Sequence, residues 1–196
     1  MITHRLIPRL LGISAAAAMS LYLGTAAAQT LGEPEHFTAS AVDLNSGQTG
    51  TIEISVTRWS TAAERGQLQQ TLFKKGQDGL LDELRDIRSV GRIYSAGSIG
   101  YDLRYAEQRK LPDGGREIIL ATDRPMSFRE MINQPRSAQY PFTWVQFTMK
   151  GDGTGEGKLA VAARIIGEEA DDLIEVEDFA ISPVKLQNIR ARKGDR

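Results

Sequence analysis

Polar and apolar residues alternate from Thr51 to Trp59, with Ile52, Ile54 and Val56 on one side and Glu53, Ser55 and Thr57 on the other. A period of two over this length predicts a half-buried β-strand. Phe37 to Leu44 reads as a strand before it, and Asn45-Ser46-Gly47 supplies turn residues between the two. After Trp59 the period changes. Thr61 and Glu64 have the spacing of a capping box, in which each side chain satisfies a free backbone amide of the other. The helix they start should run to about Lys75, with Leu68, Leu72 and Phe73 inward and Gly76 ending it. Leu80, Leu81, Leu84 and Ile87 then recur at helical spacing, opposite a solvated face of Asp82, Glu83, Arg85 and Arg88. A two-helix insertion over residues 61–88 follows from these patterns.

From Val90 onward the pattern is β. Ile99, Tyr101, Leu103 and Tyr105 alternate with Gly100, Asp102, Arg104 and Ala106. Pro112-Asp113-Gly114-Gly115 is a hairpin turn, and Glu117 to Thr122 returns from it. Phe142 to Met149 is an aromatic-rich strand, and Leu159, Val161, Ala163 and Ile165 line one face of the next. Leu173 to Ala180 and Val184 to Ile189 complete the series, before a basic tail at 191–196. Successive strands joined by short turns make an antiparallel meander, and a long meander must curl or close to hide its edges. The expected fold is therefore mainly β (α+β): a barrel or strongly curved sheet carrying the helical pair. Val145, Phe147 and Met149 oppose an equally apolar Phe142 and Trp144. A strand apolar on both faces needs helices on one side and a core or cavity on the other.

The segment before the first strand has a different character. Arg5 and Arg9 precede an uncharged run from Leu10 to Ala28, ending in Ala26-Ala27-Ala28. A charged start, an apolar middle and small residues at the end make a secretory signal peptide over residues 1–28. The expectation is export to the periplasm or beyond, with no membrane span after cleavage and one barrel-like domain over 29–190. The alternative for the same run is a retained anchor, since 19 apolar residues just suffice to cross a bilayer.

Charge and composition narrow the chemistry. Loss of Arg5 and Arg9 takes the formal net charge from −1 to −3, which does not suit nucleic acid. The chain has no cysteine, so disulfides, thiol catalysis and zinc–thiolate sites are excluded. Its two histidines are His4, in the leader, and His36. One remaining histidine does not make a Ser–His–Asp triad or a multi-histidine metal site. No metal, no cofactor and no catalytic residue is expected.

Gly151 to Lys158 looks like a phosphate loop, but Asp152 stands where that loop needs its first glycine, and a strand follows where a helix should. It reads as a hairpin turn. The segment Thr122 to Pro141 is too long for one and carries Pro125, Pro135 and Pro141. Arg124, Arg129 and Arg136 within it could converge on a carboxylate or phosphate. A second capping box, Ser127 to Glu130, suggests a short helix there. The plainer reading is a plug, with Met126, Phe128 and Met131 in the core and the arginines in water. Tyr94, Tyr101, Tyr105 and Trp144 could line a cavity or simply pack. Asp102 with Arg104, and Glu175 with Glu177, read as solvent-facing rungs.

The phrases GYDLRY (Gly100–Tyr105), LATDRP (Leu120–Pro125) and YPFT (Tyr140–Thr143) resemble uncharacterised secreted bacterial proteins, from about Thr51 to the C-terminus. The resemblance implies export and assigns no activity or residue role. The leading functional expectation is an exported binding module holding a small apolar or amphipathic ligand inside the barrel. Arg124, Arg129, Arg136, Tyr101 and Trp144 are its candidate binding residues. The alternatives are a cell-envelope structural or protein-interaction domain with a filled barrel, and an enzyme using carboxylates and tyrosines. A cavity would favour the first and a solid interior the second.

Overall fold

The strands expected from alternation close into a barrel. A computed structural model of the chain describes residues 19–22, 32–44, 47–95, 98–126, 139–169, 173–179 and 183–193. Its elements are β1 (Met19–Tyr22), β2 (Glu35–Val42), β3 (Thr49–Val56), α1 (Ala62–Asp86), β4 (Gly91–Ser95) and β5 (Tyr101–Lys110). There follow β6 (Arg116–Thr122), β7 (Phe142–Met149), β8 (Thr154–Glu168), β9 (Leu173–Asp178) and β10 (Val184–Lys193). Every pairing is antiparallel. The circuit runs β8-β10-β2-β3-β4-β5-β6-β7 and returns to β8, an eight-stranded closure.

Alternation sorts the residues onto two faces, and each face has its own core. Ile52, Ile54 and Val56 of β3 point into the lumen with Phe37, Ile93, Leu103, Ile118, Leu120, Val145, Phe147 and Leu186. These side chains form one contiguous cluster, and most are 0–1 % exposed. Outside the barrel, Leu68, Leu72, Leu80 and Leu84 of α1 pack on Ile119, Ala121, Phe142, Trp144, Ala163 and Ile165. The double-sided apolar strand β7 thus has the cover it requires, with lumen on one face and helix on the other.

The helical insertion follows its sequence signals. Thr61 caps α1: its side chain accepts from the Glu64 amide, and the Glu64 carboxylate accepts from the Thr61 amide at 2.7 Å. Gly76 adopts φ +68° and breaks α1 into two arms. A left-handed residue at that point costs glycine little and other residues more. The arms fold back far enough for Gln67 Nε2 to donate to Glu83 Oε1.

Three differences from the sequence reading have physical causes. Strand β5 does not alternate throughout. Its pairing with β6 slips between Leu103 and Tyr105, so Arg104 is extra. Tyr101, Leu103 and Ala106 consequently belong to the lumen cluster, while Tyr105 turns outward into the cluster under α1. A bulge of this kind flips every residue beyond it. Ile99, read as the start of the same stripe, is 90 % exposed. The basic tail is partly strand: β10 pairs with β2 as far as Lys193↔Glu35. Finally, Met19–Tyr22, inside the run read as a leader, forms β1 against β9 in the register Met19↔Val176 to Tyr22↔Leu173. The barrel closes without it.

The glycine-rich run contributes to that closure. Its first half is the expected turn: Lys150 N donates to Thr154 O, and Asp152 Oδ1 accepts from the amide and hydroxyl of Thr154. Its second half enters β8 between β7 and β10. A Cβ on Gly157 would stand 2.3 Å from the Gln146 carbonyl oxygen. Only glycine admits so close a strand there.

Candidate functional site

The barrel is sealed at both ends. At one end, Arg116 forms a two-pronged pair with Glu35: Nη1 donates to Oε1 at 2.7 Å and Nη2 to Oε2 at 2.5 Å. Nη1 also donates to Gln108 Oε1, and the guanidinium lies 5.9 Å from the centre of the Phe37 ring. Planar charged forks of this kind hold fixed geometry. Trp59 is 4 % exposed, and its indole donates to the Glu33 carbonyl.

The other end is closed by the start of the long loop. Thr122 and Thr143, both 0 % exposed, hold it. Thr122 Oγ1 donates to the Arg124 carbonyl and accepts from the Thr143 amide. Thr143 Oγ1 accepts from the Met126 amide at 2.8 Å and donates toward Val161 O. Met126 belongs to the lumen cluster, so the loop enters the barrel end as a plug. The plug reading therefore applies to the described stem. Residues 127–138, with Arg129, Arg136, Phe128, Met131 and the expected short helix, lie outside the described residues.

Of the five expected binding residues, the structure brings two together. The Arg124 guanidinium stacks over the Tyr101 ring at 4.9 Å, a cation–π contact at the plugged mouth. Trp144 sits elsewhere, on the outer face of β7 beneath α1. Tyr94 also faces away from the lumen. Its register partner on β3 is Glu53, and a hydrogen bond to that carboxylate raises the Tyr94 pKa. The four aromatics consequently do not form one cavity wall.

A polar row that the sequence reading missed runs along the outer face beside α1. Tyr105 donates to Glu107 Oε2 at 2.7 Å, and Arg65 of α1 approaches Glu107 Oε1 at 3.6 Å. Arg65 also donates to the Ser60 carbonyl, and Ser60 exchanges hydrogen bonds with the backbone of Ala106. Burial and the Glu107 charge push the Tyr105 phenol well above its ordinary pKa, against the pull of Arg65 and Arg109. Across β6, Arg109 pairs with Glu117, which accepts from Gln146 Nε2 at 2.6 Å. The Nε of Arg109, Oε1 of Gln146 and Nε1 of Trp144 are buried without a hydrogen-bond partner in the protein. The missing signal was the bulge, which moves Tyr105 and Glu107 onto the helix side.

Of the remaining charged candidates, Asp102 and Glu177 make exposed ion pairs, whereas Arg104, read as a solvent-facing rung, is the extra residue of the bulge and is half-buried, donating also to the Ile87 carbonyl. Asp102 pairs with Arg92 at 3.5 Å, Arg104 with Asp123 at 3.2 Å and Glu177 with Arg164 at 3.6 Å. His36 is exposed. Among the described residues, no three of His, Asp and Glu are placed to hold a metal ion, and no helix is long and apolar enough to cross a membrane.

No protein-family model matches the chain, no curated protein matches its sequence, and no solved structure matches its fold. The functional reading rests on the geometry.

Proposed function

We propose that this protein is an exported envelope domain recognised by a partner protein through its surface, with the barrel serving as a solid scaffold. The observation that carries this reading is the packed lumen. Phe37, Ile54, Leu103, Leu120 and Phe147 face one another at 0–1 % exposure, between an ion-paired seal and a threonine-held plug. A lumen able to hold a ligand would leave unfilled space between these side chains. The leader pattern of residues 1–28 supports export to the periplasm or beyond.

Native mass spectrometry of the protein purified from its own envelope tests this. The expected mass is that of the polypeptide from about Gln29 to Arg196. A lipid-like molecule retained at one per chain would overturn the solid-scaffold reading in favour of a ligand carrier.

One observation favours that second reading: the Arg124–Tyr101 stack at the mouth, which places a cation beside an aromatic surface. An amphipathic molecule with an acidic head would find both. Under this reading, Arg124→Ala weakens binding of such a probe about tenfold or more, the loss of one charged hydrogen bond. Under the scaffold reading, the wild type binds no probe at all.

A further inference from the structure

We propose that the outer edge of β9 is a strand-accepting site: once residues 1–28 leave, it takes an extended segment of a partner protein as an added antiparallel strand. The inference rests on the export reading and names the surface that reading requires.

Eight strands have both edges paired by the closure of the barrel. Strand β9 stands outside that circuit. One edge of β9 pairs with the upper part of β8, from Ala163↔Asp178 to Glu168↔Leu173, without a bulge. Its other edge receives Met19–Tyr22. An unpaired edge is a row of backbone donors and acceptors that can template another strand. Native proteins blunt such edges against indiscriminate pairing with prolines, bulges, covering loops or charged side chains, and β9 carries the last of these. The sequence Leu173-Ile174-Glu175-Val176-Glu177-Asp178 contains no proline.

The edge is also held in position. Val176 and Ile165 are buried in the cluster under α1, and Ile174 packs against it. Gly167 of β8 lies so close to the helix that a Cβ there would meet Leu72 at 2.7 Å. A backed edge loses little freedom when a strand arrives, and low ordering cost favours affinity.

Register states what the site takes. Residues directly opposite in a sheet share a face. A strand laid on this edge has positions paired with Val176 and Ile174, which lie on the helix side, and between them a position paired with Glu175, which lies on the other. The occupant is therefore an extended segment of the form apolar–x–apolar, with a small or basic residue at x. Glu175 and Glu177, the latter paired with Arg164, give the outward face of β9 its acidic character. Two copies of β9 side by side would crowd these carboxylates together, which argues for a partner protein over a second copy.

The probe is a fluorescein-labelled peptide of residues 17–24, flanked by lysines, read by anisotropy. It should bind the chain from Gln29 to Arg196, whose barrel closes without β1, and bind the full chain at least tenfold more weakly. A Ser20→Pro/Leu21→Pro peptide, lacking ladder donors, should also lose at least tenfold. Hydrogen exchange should slow at residues 173–176 when the peptide is present. Equal binding to both chains, equal binding of the proline peptide, or unchanged exchange would overturn the proposal. Dimerisation of the Gln29–Arg196 chain that the peptide reverses would overturn the choice of occupant. Intact mass from the envelope tests export separately: retention of residues 1–28 defeats that reading while the peptide experiment still decides the edge.

Discussion

Replacing Phe147 with alanine separates a packed lumen from a hollow one. The ring is 1 % exposed and meets Phe37 edge-to-face, with centroids 5.1 Å apart at 71°. Truncating a fully packed phenylalanine costs about 3–5 kcal/mol, because the lost transfer energy adds to that of the cavity left behind. The aromatic pair accounts for about 0.5–1.5 kcal/mol of this. In a domain of this size each kcal/mol lowers Tm by about 2–4 °C, so the expected fall is about 6–20 °C. Urea unfolding should show a lower midpoint and an unchanged slope, the mark of a stability change within the same fold. A second arm adds benzene. An apolar cavity of side-chain size stays dry and takes such a molecule, so benzene should raise the Tm of Phe147→Ala by mass action and leave the wild type unmoved. If the lumen were hollow, Phe147 would line a wall, and its truncation would cost less than about 1.5 kcal/mol, the lower end of simple burial. That result, or equal stabilisation of the wild type by benzene, refutes the packed lumen.

Other outcomes follow from single residues. Thr61→Ala should cost about 1 kcal/mol and speed hydrogen exchange in the first turn of α1. Burial opposes ionisation of Glu64, but hydrogen bonds from Arg58 and the Thr61 amide win and lower its pKa below 4.5. Its contribution is therefore present above that value and lost as pH falls through the lowered one, read as acid-induced fraying that Glu64→Gln removes. Tyr105 holds its proton more tightly folded than unfolded, so stability should fall as pH rises past 10.0, and Tyr105→Phe should flatten that slope in alkaline melts. Gly157→Ala should destabilise by about 1–3 kcal/mol in urea, because the new Cβ meets backbone that has no room to yield.

Most of the architecture was legible because the period of two persists where one face is lumen. The stripe Ile52, Ile54, Val56, the capping box at Thr61–Glu64 and the break at Gly76 are local signals, and each stands in the structure as read. What local pattern does not carry is pairing. The slip between Leu103 and Tyr105 depends on Thr122 and Ala121 of another strand, so Tyr105 kept an apparent stripe that the fold divides. The polar row was invisible for the same reason: Tyr105, Glu107, Arg109 and Glu117 become neighbours only through the bulge and the β5–β6 register. Arg124 and Tyr101 lie on different strands' ends, and residue type alone placed them with Trp144, which the outward face of β7 separates from them.

A cysteine-free domain has no covalent staple, so its order must come from burial and backbone pairing. A closed barrel supplies both, since it fills its centre and removes its edges. Here the removal is almost complete. Gly155 and Gly157 let β8 run tightly between β7 and β10, and a bulge in β10 between Leu186 and Ile189 lies opposite them. Strand β8 is long, and only its first part serves the barrel. The rest, beyond Ala163, pairs with β9 alone. That extension lies outside the closure and, among the described strands, adds an edge that the circuit does not pair. Helix α1 then packs on this extension through Leu72 and Phe73, holding it rigid. The edge built beyond the closed circuit is braced by α1, and Ile165 and Val176 of the extension share one buried cluster with Leu68 and Leu72, so the extension is fixed in place by the same burial that holds the helix on the barrel.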